Sequence, residues 1–148
     1  MNSLKLFVYV ISSHLLMSIV AAENSSQFSP YTIHHNALTT EFLSPEVAKQ
    51  YHIKRSTHHA MINISVLKNQ STKNIGTAVS ANVEVKMKNL IGQITNIPVR
   101  QIKEGSAIYY IGDFPVADRQ HLTFHIKVKP IQQKQVYQMK IQHTFFTE

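Results

Sequence analysis

Hydrophobic and polar residues alternate along several stretches of the chain after residue 60. Ile62, Ile64 and Val66 alternate with polar neighbours. The same pattern continues at Val79, Ala81, Val83, Val85 and Met87, at Leu122, Phe124, Ile126 and Val128, and at Tyr137, Met139, Ile141 and Phe145. A period of two residues places one face of a strand against a core and the other in water, as antiparallel sheets require. The pattern therefore predicts a series of half-buried strands.

Turn-forming residues separate these stretches at intervals typical of an all-β sandwich. They lie at residues 69–74, Gly92, Pro98, residues 103–105, Gly112-Asp113 and residues 130–135. Residues 108–111 (Ile-Tyr-Tyr-Ile) are apolar on both faces, which predicts a central strand.

One short helix is predicted from Pro45 to Tyr51. Ser44 is a favourable N-cap, Pro45 suits the first helical position, and Glu46 complements the positive end of the helix dipole. With six to eight strands and this helix, we predict an all-β, immunoglobulin-like antiparallel β-sandwich. A small barrel is the alternative.

The first 22 residues have the organisation of a secretory signal peptide. Lys5 precedes an apolar run from Leu6 to Ala22, and small residues end that run just before Glu23. The pattern predicts cleavage after Ala22 and a single domain over residues 23–148, which is 148 − 22 = 126 residues. An uncleaved anchor is the alternative, but the run is short for a bilayer span and has polar residues in its middle. We therefore expect a periplasmic or secreted protein, with no transmembrane segment after cleavage.

The chain is basic and contains no cysteine. Its formal charge is +7, and the loss of Lys5 with the signal peptide leaves 7 − 1 = +6. A positive charge favours anionic partners through long-range attraction. Export argues against nucleic acid, so the expected partner is an envelope protein or an anionic envelope component. The other interpretation is that the charge only provides solubility, because the lysines do not form a dense run along the sequence.

Motifs for catalysis or for a cofactor are not found in the sequence. The four glycines are isolated from one another, which excludes a glycine-rich phosphate loop. The nucleophile-elbow pattern is absent, the absence of cysteine excludes thiol catalysis, and the eight carboxylates are not clustered. We therefore predict no catalytic residue and no cofactor, and an enzyme is less expected than a binding protein.

Histidine is the one enriched chemical group, with 9 − 1 = 8 residues after the predicted signal peptide. The adjacent pairs His34-His35 and His58-His59 should point to opposite faces of their strands. His121 and His125 share a face but lie about 13 Å apart, too far for one metal ion. A metal site would need the two adjacent pairs to converge from separate strands. His143 is in phase with apolar neighbours, which predicts a hydrogen-bonded core residue.

Segments spread over the chain resemble a known family. They are residues 35–38 (His-Asn-Ala-Leu), 42–48, 51–56, 89–93, 103–110 and 142–146. In this ordered series the chain resembles the DUF4426 family, small exported proteobacterial proteins that share a domain of unknown function. The resemblance covers nearly the whole predicted mature chain. It implies a periplasmic location and an immunoglobulin-like sandwich, and it carries no catalytic residues.

Eight positions are candidates for function or for a structural pattern of the family. They are His35, Asn36, Arg55, Asn89, Glu104, Tyr109, Tyr110 and His143. Asn36 can close a turn, and Arg55 follows the helix, where its guanidinium can cap carbonyls or pair with a carboxylate such as that of Glu104. Asn89 breaks the apolar phase of its strand and should bend it. The tyrosines can line a groove or belong to the most buried strand.

Three functions compete on this basis. The leading hypothesis is a non-enzymatic binding or adaptor module of the cell envelope, which recognises its partner through a sheet edge or a loop end. The second is a metal-handling protein that uses converging histidines. The third is a hydrolase of envelope polymers that acts through His143 with Tyr109 or Tyr110.

Overall fold

The computed structural model describes residues 24–70 and 73–148. The predicted signal peptide therefore lies outside the described residues. The strands are β1 (Ser25–Phe28), β2 (Tyr31–Thr39), β3 (His59–Gln70), β4 (Lys73–Ala78), β5 (Ala81–Lys88), β6 (Ile94–Ile97), β7 (Arg100–Glu104), β8 (Ala107–Pro115), β9 (Gln120–Pro130) and β10 (Tyr137–Phe145). A 3-10 turn (Thr40–Phe42) and one helix, α1 (Pro45–Gln50), lie between β2 and β3. Within the described ranges, no helix has the length and hydrophobicity needed to cross a bilayer.

The strands form two separate antiparallel sheets. The first, which we call the front sheet, has the order β1-β2-β3-β8-β7, and β4 pairs with the end of β3. The second, the back sheet, has the order β10-β9-β5-β6. This arrangement confirms the predicted all-β sandwich and excludes the alternative of a closed barrel. It also places β8 between β3 and β7, in the central position predicted from its apolar run.

The main core lies between the two sheets and is made by the alternating apolar positions of the sequence. Ile62, Ile64 and Val66 of β3 are fully buried. Their counterparts on the back sheet are Leu122, Phe124, Ile126 and Val128, all fully or almost fully buried. The burial of each such side chain contributes about 1.5–3 kcal/mol to the free energy of folding. This layer therefore dominates the stability of the domain, which has no cysteine.

A second, smaller core lies on the outer face of the front sheet. The segment that joins β2 to β3 packs there and buries Ile53 against Met61 and Ile111. Tyr109 packs against the same cluster, whereas Tyr110 points into the main core. Both faces of β8 are therefore covered, as its continuous apolar run predicted.

The joining segment is held by its cap and by one buried hydroxyl. The Ser44 side chain accepts a hydrogen bond from Val47 N at 3.3 Å, and α1 ends at Gln50, one residue before the predicted end. Thr40 is fully buried. Its Oγ1 atom accepts a hydrogen bond from Ser56 N at 3.1 Å and donates one to the Lys54 carbonyl oxygen at 2.6 Å. This segment covers only part of the outer face of the front sheet and leaves the remainder open.

Candidate functional site

The front sheet forks along one edge of β3. β8 pairs with the first half of β3 as far as the Ile64–Tyr110 pair. β4 pairs with the second half of the same edge, starting at the Leu67–Ala78 pair. Because two strands compete for one edge, the beginning of β8 diverges from β4. The space between them is a groove of about 880 Å³ that opens on the outer face of the sheet.

The floor of the groove is made by outward-facing side chains of β2 and β3. Asn36 lies opposite Asn63, and His34 lies opposite Ser65. Thr77 and Ala78 of β4 form one wall, and Ser106, Ala107 and Tyr109 form the other. Amide, hydroxyl and imidazole groups therefore meet apolar surface from Ala107 and Tyr109, a mixture typical of a binding groove.

The Asn63 carboxamide of the floor has one unsatisfied atom. Its Oδ1 atom is buried and accepts no hydrogen bond from the described residues. A buried acceptor without a donor costs about 1–3 kcal/mol.

The wall formed by β8 also presents backbone. Ala107, Ile108 and Tyr109 pair with β7 on one side. On the other side no described strand pairs with them, because the ladder to β3 ends at Tyr110. In an antiparallel pair, every second residue directs its backbone groups away from its partner. This part of β8 is thus a short sheet edge that faces the groove.

The opposite wall depends on a glycine. A Cβ atom at Gly76 would lie 2.9 Å from Leu67 Cβ and 3.0 Å from the Lys68 carbonyl oxygen. These distances are too short for a side chain, so glycine allows β4 to approach β3 and leaves room beside it.

His35 and His143 lie on the other side of the front sheet, in the space between the sheets. Both are half-buried, and their registers place them in phase with core residues of β2 and β10. β10 lies over β2, where the Tyr31 and Tyr137 rings are 5.7 Å apart. Burial lowers the pKa of His143; burial and the neighbouring His34 lower the pKa of His35. Both shifts favour the neutral imidazole. His35 also borders the groove at the edge of β2.

Tyr110 is a core residue whose hydroxyl joins the two sheets. It accepts a hydrogen bond from Ala81 N at 2.6 Å and another from Gln101 Nε2 at 2.9 Å. Tyr109 faces the groove on the opposite side of β8. The structure therefore does not assemble the hydrolase pairings that were predicted: Tyr109 and His143 lie on different faces of the front sheet, and the Tyr110 hydroxyl is already engaged.

Arg55 and Glu104, considered above as a possible ion pair, have other hydrogen-bond partners in the described residues. Arg55 Nη2 donates to the Glu41 carbonyl oxygen at 3.0 Å. Glu104 Oε1 accepts from Gln50 Nε2 at 3.3 Å. Arg55 therefore fixes the joining segment, as its predicted capping role implies.

Asn89 begins the tight turn between β5 and β6. Its Oδ1 accepts from Gln93 N at 2.9 Å, and its Nδ2 donates to Gln93 Oε1 at 2.8 Å. Gly92 follows with a positive φ of 86°. Asn89 does not bend a strand, since β5 ends at Lys88; it acts as a turn former away from the groove.

One polar cluster was missed by the sequence reasoning. His59 Nε2 lies 2.8 Å from Asp113 Oδ2, and Arg100 Nη1 donates to Asp113 Oδ1 at 3.2 Å. Arg100 also donates to the Tyr51 carbonyl oxygen at 2.7 Å. Burial acts to raise the pKa of Asp113, but the hydrogen bonds and charges of His59 and Arg100 lower it overall. The cluster ties the joining segment to the sheet, and its members are too far apart in sequence for a local signal.

The two adjacent histidine pairs, whose convergence a metal site would require, do not converge. His35 lies opposite Ile64, five residues along β3 from His59, so the two histidine pairs are about 17 Å apart. In the described part of the chain, no three histidine or carboxylate side chains are grouped closely enough to hold a metal ion.

The chain belongs to the DUF4426 family, a domain of unknown function, which it matches over residues 25–148. It is similar to the crystal structure of a DUF4426 family protein from Pseudomonas aeruginosa PAO1, with 27% identity and a TM-score of 0.71. That match covers 84% of this chain and 94% of the other. No curated protein matches the sequence.

Two structures of FetP from uropathogenic Escherichia coli strain F11 have the same fold at much lower identity. The copper-bound E46Q variant is 8% identical with a TM-score of 0.59, over 84% of this chain and 95% of the other. The as-isolated protein, expressed in the periplasm, is 6% identical with a TM-score of 0.60, over 84% and 93%. At this identity the likeness concerns the fold alone.

Proposed function

We propose that this DUF4426 protein is a non-enzymatic binding module of the cell envelope, and that it holds an extended segment of a partner protein in the groove between β4 and β8. The observation that carries the proposal is the short backbone edge at Ala107–Tyr109, which lies beside a floor of polar side chains. A sheet edge of this kind binds an extended peptide through main-chain hydrogen bonds.

The floor provides the selectivity of this mode of binding. A segment that pairs with β8 directs alternate side chains towards β3, because side chains of a strand alternate between faces. There they meet Asn63 and Ser65, whose polar side chains line the groove. Tyr109 supplies an aromatic surface for an apolar side chain. We therefore expect segments in which small donor residues alternate with apolar ones.

A periplasmic location is part of the proposal. It rests on the predicted signal peptide and on the family resemblance. His143 does not meet Tyr109 or a free Tyr110 hydroxyl, and this favours a binding function over hydrolysis.

Peptide selection provides the test. A library of random dodecapeptides displayed on phage is selected on purified residues 23–148, and the selected peptides are then measured by fluorescence anisotropy. The key variant is Ser65→Trp, which fills the floor of the groove. The matched control is Thr123→Trp, the same change at a half-exposed, outward-facing position of the back sheet.

We expect the selected peptides to bind at least tenfold more weakly to the Ser65→Trp variant and unchanged to the Thr123→Trp variant. Equal binding to both variants would place the peptide site elsewhere. Failure to enrich any peptide over an unselected pool would remove the proposal.

Metal handling is the second candidate, favoured by one observation. His35 of β2 and His143 of β10 lie on the inner faces of the two sheets, and burial lowers the pKa of both, which favours the neutral imidazole that binds metals. FetP, which shares the fold, has been seen with copper bound. Calorimetric titration of the untagged protein with Cu²⁺ tests this candidate. Binding that disappears in the His143→Ala variant but persists in the His125→Ala control would support it, and a protein that takes up no copper would exclude it.

A further inference from the structure

The outer face of the back sheet carries most of the net positive charge of the predicted mature chain. Its outward positions carry Lys86, Lys88, Lys127, Lys129 and Lys140. The only carboxylate among the outward positions of β5, β9 and β10 is Glu84, which gives 5 − 1 = +4 with histidines neutral. The predicted mature chain carries +6 in total, so this one face holds two-thirds of the excess. We call it the basic face.

The register of the strands brings these lysines together although the sequence separates them. Lys86 lies opposite His125, and His125 lies opposite Lys140 on the next strand. Adjacent strands are about 4.8 Å apart, so neighbouring charges of the face lie within about 10 Å of one another. That spacing is close to the screening length at physiological salt, about 8 Å, so their fields add.

An apolar tip adjoins the basic face. Leu90 and Ile91 form the end of the turn between β5 and β6, with 79% and 80% of their surface exposed. They are the most exposed large hydrophobic residues of the described chain. Ile94, 62% exposed, lies opposite Lys88 and continues the apolar surface from the tip onto the basic face.

The tip is rigid. Asn89 N donates to the Gln93 carbonyl oxygen at 3.1 Å, and Gly92 N donates to the Asn89 carbonyl oxygen at 3.1 Å. The Asn89 carboxamide adds its two side-chain bonds to Gln93. Two large aliphatic side chains are thus held in water by a fixed turn, so little conformational entropy is lost when they are buried against a partner.

We propose that the basic face and its tip dock the protein onto a lipid bilayer rich in anionic lipid, with Leu90 and Ile91 inserted between head groups and the lysines against lipid phosphates. Anionic head groups attract clustered lysines, and aliphatic side chains gain by entering the boundary of the acyl chains. A soluble polyanion would bind the lysines but would give the exposed apolar tip no partner. A pocket of a protein would bury the tip but does not require a net charge of +4 beside it. A bilayer surface binds the lysines through its phosphates and buries the tip among its acyl chains.

The chain contains no tryptophan, which allows a direct test of insertion. The Leu90→Trp variant carries a single tryptophan at the tip. Phe42→Trp is the matched control, because Phe42 is 76% exposed but lies on the joining segment of the front sheet. Each variant is mixed with vesicles of phosphatidylcholine alone or with 30% phosphatidylglycerol. We expect a blue shift, and quenching by brominated acyl chains, only for Leu90→Trp with the anionic vesicles.

Sedimentation with the same vesicles separates the two contributions. We expect the otherwise wild-type double variant Leu90→Ser/Ile91→Ser to bind at least tenfold more weakly. The charge variant Lys86→Ala/Lys88→Ala/Lys140→Ala should show the same loss and a weaker salt dependence. The control Lys49→Ala/Lys54→Ala/Lys103→Ala removes three exposed lysines from other surfaces and should bind normally.

Two results would overturn the proposal. One is vesicle binding that is unchanged by the Leu90→Ser/Ile91→Ser change, with no shift in the Leu90→Trp spectrum. The other is binding to heparin or to a DNA duplex without binding to anionic vesicles, which would identify the face as a site for soluble polyanions.

Discussion

The Tyr110 hydroxyl offers the sharpest test of how the sandwich is held together. The change Tyr110→Phe keeps the ring in the main core and removes only the oxygen. That oxygen is the acceptor for the buried Ala81 N–H at 2.6 Å and for the Gln101 side chain at 2.9 Å. The Gln101 amide is at the surface and can turn to water, so its loss costs little. The Ala81 N–H has no such alternative, and an unsatisfied buried donor costs about 1–3 kcal/mol.

Urea denaturation of residues 23–148 measures this cost. We expect the free energy of unfolding to fall by about 1–3 kcal/mol with an unchanged dependence on urea concentration, since the core itself stays intact. Tyr109→Phe is the control and should change stability by less than about 0.5 kcal/mol. A Tyr110→Phe variant as stable as its control would show that the Ala81 N–H finds another acceptor, and the reasoning would fail.

Three further changes test the remaining polar contacts. Thr40→Val removes the buried hydroxyl that fixes the joining segment, and should lower the free energy of unfolding by about 1–3 kcal/mol in urea, with Thr144→Val as a partly exposed control. The pKa of Asp113 is lowered in the folded state, so its contribution to stability is complete above its unfolded pKa near 4 and is lost as pH falls through the folded value. The Asp113→Asn variant should therefore show a smaller change in the free energy of unfolding between about pH 5 and 2 than the wild type. The lowered pKa of His143 means that the fold favours the neutral ring. Stability should therefore decline as pH falls from about 6.5 through the folded pKa, and His143→Gln should weaken that decline in thermal melts.

Local patterns in the sequence were sufficient for the alternating strands and for the helix start. They were not sufficient for every boundary, because Gly112-Asp113, predicted as a turn, lies inside β8, and the described residues form ten strands where six to eight were predicted. The alternation around Ile62 and Phe124 predicted the core correctly, because each strand has one face against the opposite sheet. The Ser44 cap and Pro45 predicted the start of α1 for an equally local reason. Side-chain periodicity is a property of the strand itself and needs no knowledge of its neighbours.

The groove and the basic face required the pairing of distant strands. The groove exists because β4 and β8 share one edge of β3, and nothing in their own sequences indicates that competition. Lys86 and Lys140 are 54 residues apart, yet β9 brings them onto one surface. The lysines looked scattered because their clustering is a property of the register. For the same reason, the contact of His59 with Asp113 had no sequence signal.

The two proposed sites lie on opposite sides of the sandwich, and this arrangement has a mechanical consequence. Packed sheets are about 10 Å apart, so the groove on the front sheet lies more than that distance from the basic face. A bilayer in contact with the back sheet would therefore leave the Asn63 floor and the β8 edge open to the aqueous side. The main core joins the two surfaces rigidly, so docking would orient the groove without closing it. An adaptor that presents a bound segment at the membrane surface needs its groove and its membrane-binding face to be separate. In a sandwich this separation follows when the outer faces of the two sheets carry different side chains.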